Sequence, residues 1–162
     1  MSPLIAVAEN IAQTRQMDGV PPTLMWSSFA DFFKSRIYDR ALVNQVFLTY
    51  YDGDRQLHCT YSYAEFGTMV QRATTFLHDQ VGLRRGDRLA TILFNRDVTA
   101  VLYFAAWLSG ITVVPINVEE PPDKKRFVLE HSEATAVCCW HSYVEGVTGL
   151  QRDLPAVQHR NT

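Results

Sequence analysis

The sequence predicts an α/β fold: a mainly parallel sheet with crossover helices on both faces, plus an accessory N-terminal helix and β-hairpin. Three observations carry this. From Ser62 onward, helix-period and strand-type segments alternate with connections of a few residues, the order that buries a parallel sheet between helices. The stretch "LATILF", Leu89 to Phe94, is nearly continuous in apolar residues, as in a strand covered on both faces. Asp52-Gly53 separates two β-rich runs, Val46 to Tyr51 and Gln56 to Tyr61, in the manner of a tight hairpin turn.

Taken in order, residues 1–22 read as a flexible leader ending in Pro21-Pro22, with space for helical turns between Leu4 and Gln13. Trp26, Phe29, Phe32, Phe33 and Ile37 recur at helical spacing, so a helix is expected from Leu24 to about Arg40, capped by Ser27 or Ser28. After the hairpin, Ser62-Tyr63-Ala64-Glu65 has the S-x-x-E spacing in which serine and glutamate each satisfy the other's orphan amide. Tyr61 and Phe66 stand at the staple positions. Phe66, Met69, Val70, Ala73 and Leu77 form one apolar stripe, and Gly82 is placed to end a helix over 62–81. Arg84 to Asp87 makes a polar turn into a strand from Arg88 to Phe94, and Asn95 or Asp97 is available to cap the next helix.

Val98 to Val118 carries no charge and is long enough to suggest a membrane span. Gly110 and Pro115 would both lie inside such a span, and an interior proline costs about 3 kcal/mol. Two soluble elements fit better: a helix over Asp97 to Ser109 closed by Gly110 in the left-handed conformation, then a buried strand over Ile111 to Ile116. No transmembrane segment is expected. Pro121-Pro122 suits the first turn of a further helix, with Asp123 complementing its dipole and Phe127, Val128 and Leu129 expected to face inward. Ala134 to Trp140 reads as a strand, Ser142 to about Leu150 as a helix, and 156–162 as a tail.

The 162 residues are 47% hydrophobic and 20% charged with a formal net charge of -2, ordinary for one globular domain. Nucleic acid is not an expected partner, because the basic clusters Lys124-Lys125-Arg126 and Arg84-Arg85 are short and each has an aspartate nearby. The embedded Arg85-Gly86-Asp87 is read as a turn, and the opening "MSPLIAVAEN" does not resemble a secretory signal, so a cytoplasmic location is expected. With no export signal, Cys59, Cys138 and Cys139 are expected as reduced thiols. Cys138-Cys139-Trp140-His141 is not read as a metal site, since neighbouring strand residues point to opposite faces and no further pair completes four ligands. His58, His78, His131 and His159 are scattered singly.

Ordered along residues 46 to 140 are "SYAEF", "GLRRGDRLATILFN", "LSGITVVPIN", "EEPPDKKRFVLEHSEA" and "TAVCCW". In order and spacing these blocks resemble the beginning of the adenylate-forming superfamily of acyl-CoA synthetases, nonribosomal-peptide adenylation domains and luciferases. Ser62 stands where threonine is common, Ser109 where alanine is common, and Glu119-Glu120 where proline-containing sequence is frequent. The resemblance implies that 23–155 is the N-terminal subdomain of an AMP-binding domain, a partial region of a larger one. The implied parent uses ATP and magnesium to convert a carboxylic acid to an acyl-adenylate, then passes the acyl group to CoA or a carrier protein. The implied partner of this region is the remainder of that polypeptide, with self-association expected through exposed apolar area or an unpaired strand edge.

The resemblance places the phosphate loop, adenine site, hinge and C-terminal lysine beyond the matched region. Glu145-Gly146-Val147-Thr148-Gly149 has two glycines and a threonine but no following lysine, so it is rejected as that loop, and neither a Walker motif nor G-x-G-x-x-G occurs. No catalytic, cofactor-binding or metal-binding residue is assigned to this chain, and no cofactor is expected in it. Asn95, Arg96 and Asn117 follow the carboxyl ends of expected strands, the edge where open parallel sheets bind ligands. Capping and turn roles are weighed against substrate contact for all three. A self-standing α/β nucleotide- or protein-binding module stays open as the alternative.

Overall fold

The computed structural model describes residues 26–53 and 56–151; the expected leader 1–22, its turns between Leu4 and Gln13, and the tail 156–162 lie outside them. In chain order the elements are α1 (Phe29–Ile37), β1 (Val46–Asp52), β2 (Leu57–Ser62), α2 (Tyr63–Asp79), β3 (Arg88–Ile92) and α3 (Asp97–Leu108). They continue with β4 (Thr112–Pro115), α4 (Pro122–Ser132), β5 (Ala136–Cys139), a 3-10 turn at His141–Tyr143 and α5 (Val144–Gln151). β3 is the middle strand of a parallel sheet ordered β4-β3-β5, and β1 and β2 pair antiparallel in a separate two-stranded sheet.

Side chains alternate across β3 and so join two cores. Leu89 packs with Phe33, Ile37, Phe66, Val70 and Ala105, which come from α1, α2 and α3. Ala90 and Ile92 pack with Leu129 of α4 and Val147 of α5. Helices therefore cover both faces, as the unbroken apolar run of β3 requires. Cys138 borders the first core and Cys139 the second, the divergence expected of neighbouring strand residues. No helix among the described residues is long and apolar enough to cross a membrane.

The caps follow side-chain chemistry closely. Ser28 starts α1, its hydroxyl accepting the Asp31 amide at 3.1 Å. Hydrogen bonds from Ser27 and Ser28 to the Asp31 carboxylate hold that group below its ordinary pKa. At α2, Ser62 Oγ accepts the Glu65 amide at 3.2 Å while Glu65 Oε2 accepts the Ser62 amide at 2.8 Å, completing the expected capping box. Those bonds lower the Glu65 pKa in turn. Gly110, at φ 71°, closes α3 as expected, and Gly82, at φ 79°, lies beyond α2, which ends at Asp79 rather than 81.

Three expectations are corrected. The hairpin turn is wider than a tight Asp-Gly turn: Asp52 pairs with Leu57, and the positive φ belongs to Gln56, at 51°, not to Gly53. Asp52 is drawn into β1 by the Tyr50 hydroxyl at 3.4 Å and the Arg96 guanidinium at 4.0 Å. Phe127 does not face inward with Leu129; it is 61% exposed and stacks on His131 at the surface. With about 3.6 residues per turn, three successive residues cannot share one buried stripe, and on α4 that stripe runs through Leu129. The start of α3 is the third correction, and it falls at the candidate site.

Candidate functional site

The carboxyl ends of β3 and β4 open into a cavity of about 370 Å³ bounded by Leu93, Phe94, Asn95, Tyr103, Ile116 and Asn117. Adjacent strands whose chains leave toward opposite faces part at this edge. After β3 the chain enters α3, in the first core, and after β4 it enters α4, in the second. Thr91 Oγ1 and Tyr103 Oη are hydrogen-bonded at 3.1 Å, fixing the tyrosine ring of the cavity wall to β3. A neighbouring cavity of about 260 Å³ shares Asn95 and Tyr103 and extends to Tyr50, Arg96 and Asp97.

The three polar residues expected at this edge take different roles. Asn95 and Asn117 line the same cavity, and both are exposed. Asn117 Oδ1 accepts the Glu119 amide at 3.0 Å and its carbonyl accepts the Glu120 amide at 3.2 Å, so it shapes the turn before α4. Arg96 is instead held away from the first cavity: its guanidinium lies 4.0 Å from Asp52, 5.2 Å from the Trp140 ring centroid and 5.9 Å from that of Tyr50. One cation thus ties the hairpin to the residue that follows β5.

Neither Asn95 nor Asp97 caps α3. Arg96 occupies the cap position without a side-chain cap bond, Asn95 comes one residue too early, and Asp97 is already helical. The Asp97 carboxylate is used elsewhere: Oδ2 accepts the Tyr61 hydroxyl at 2.5 Å and Oδ1 accepts the Val98 amide at 2.9 Å. The bond to Asp97 and then burial raise the Tyr61 phenol well above its ordinary pKa. Thr99 Oγ1 completes the start of α3 by donating to the Phe94 carbonyl at 2.7 Å.

This second clamp between hairpin and sheet was missed in sequence because its partners stand 36 positions apart and Tyr61 already had a role as a staple residue. Its only sequence signal is an acid one residue inside a helix that has no better capping side chain.

The edge therefore offers two exposed carboxamides, a tyrosine and a clamped cation. A triphosphate needs several backbone donors converging from a loop. Glu145 to Gly149 cannot provide them, because the segment lies inside α5, with Thr148 Oγ1 bonded to the Val144 carbonyl at 2.8 Å. Among the described residues no group of three or more His, Cys, Asp or Glu is gathered as a metal set would be. Burial pushes the Cys138 thiol up to about 11 and raises Cys139 too, so both are poor ligands and nucleophiles near neutral pH.

The sheet order, the two helical layers and the polar carboxyl edge go with a match of residues 39–161 to the family model described as AMP-binding enzyme. The chain belongs to the AMP-binding enzyme family. It is similar to N-(5-amino-5-carboxypentanoyl)-L-cysteinyl-D-valine synthase of Amycolatopsis lactamdurans, with 25% identity over 142 residues, 81% of this chain and 4% of that protein. Its fold is similar to that of an anthranilate CoA ligase, AuaEII, solved with anthranoyl-AMP. That match has a TM-score of 0.68 and 15% identity, covering 84% of this chain and 25% of that one. It is also similar to the A-PCP didomain of carboxylic acid reductase from Segniliparus rugosus, solved with AMP. There the TM-score is 0.66 and the identity 16%, over 93% of this chain and 22% of that one. The AMP-binding chain described here thus spans a small share of each relative's length.

Proposed function

We propose that this chain is the N-terminal scaffold of an ATP-dependent acyl-adenylate-forming ligase. In the proposed parent reaction a carboxylate oxygen attacks the α-phosphorus of ATP, releasing pyrophosphate, and a thiol of CoA or a carrier protein then displaces AMP from the acyl-adenylate. The observation that carries this reading is the family match over 39–161 in a chain that covers a quarter or less of the relatives described above. ATP and magnesium supply the activated phosphate and its charge neutralisation in that scheme, and the residues described here do not fit them. Their contribution is to position: Arg96 and the Tyr61–Asp97 bond hold the hairpin against the carboxyl edge, and Tyr103 fixes the wall on which Asn95 and Asn117 stand. The groups that cradle the phosphates are proposed to come from other segments of the parent. The same reading places the protein in the cytoplasm, where its cysteines stay as thiols.

Carboxylate-dependent exchange of pyrophosphate into ATP tests the proposal. The 162-residue chain is expected to give none and a longer polypeptide containing it to give exchange. Turnover by the short chain alone would overturn the scaffold reading.

A further inference from the structure

We draw no further inference here: the strongest candidate, the aromatic surface patch that Tyr103 and Trp107 form on α3, is an unpartnered apolar face among the described residues, and nothing in the structure shows what covers it.

Discussion

Replacing Tyr61 by phenylalanine removes one oxygen from the contact between the hairpin and α3 while keeping the ring in the first core. The hydroxyl donates to Asp97 Oδ2 at 2.5 Å. A hydrogen bond to a charged group contributes about 1.5–3 kcal/mol where both partners are desolvated. Asp97 is only half-buried and keeps the Val98 amide on its other oxygen, so water replaces part of what is lost. The expected destabilisation is therefore about 1 kcal/mol. With a urea slope of about 2 kcal/mol per molar, the unfolding midpoint falls by about 0.5 M. The pH dependence supplies a second signature. The phenol is raised in the folded chain above the ordinary value of about 10. On raising the pH the unfolded chain loses this proton first, so the bond's contribution is intact below about pH 10 and declines progressively from there toward the higher value of the folded chain. The advantage of the native chain over Tyr61→Phe is expected to hold up to about pH 10 and to narrow steadily as the pH is raised further. Equal urea midpoints at neutral pH, or a gap that stays constant into alkali, would refute the reasoning.

Other outcomes follow from the same contacts. Gly110→Ala is expected to cost about 1–2 kcal/mol in thermal unfolding, since φ is 71° and the added Cβ would lie 2.9 Å from Arg85 Cγ. An unchanged transition would show that the left-handed stop of α3 is dispensable. Phe127→Gln is expected to stay within about 0.5 kcal/mol of the parent because the ring is at the surface, and a loss of several times that would restore the inward assignment. Among the described residues β4 and β5 each pair only with β3, so the isolated chain is expected to self-associate with increasing concentration in sedimentation velocity. A single monomer boundary throughout would argue against open edges.

Much of the fold was legible because local chemistry and global burial agree in this chain. The Ser62 and Glu65 pair, the glycine after Ser109 and the apolar run of β3 each have one good solution, and the structure adopts it. What escaped were long-range uses of side chains. Asp52 looks like a turn residue until Tyr50 and Arg96 engage it, and Asp97 looks like a cap until Tyr61 takes its carboxylate. The stop after α4 was also hidden, for Glu133 adopts φ 49° without glycine's freedom. Arg88 engages both its carbonyl, at 3.3 Å, and its carboxylate, at 2.5 Å. At the candidate edge, strand order was enough to bring Asn95 and Asn117 together, whereas the diversion of Arg96 depends on Trp140, which is remote in sequence.

The division of β3 between two cores restricts how this protein can vary in length. One residue inserted or deleted within β3 would reverse every side chain on one side of the change relative to the other, so that Leu89 would turn toward α4 and α5 or Ile92 toward α1, α2 and α3. Both interiors would then be mismatched in volume at once. Related chains are accordingly expected to gain and lose residues in the β1–β2 turn and before α4, and to hold the number between Arg88 and Ile92 fixed.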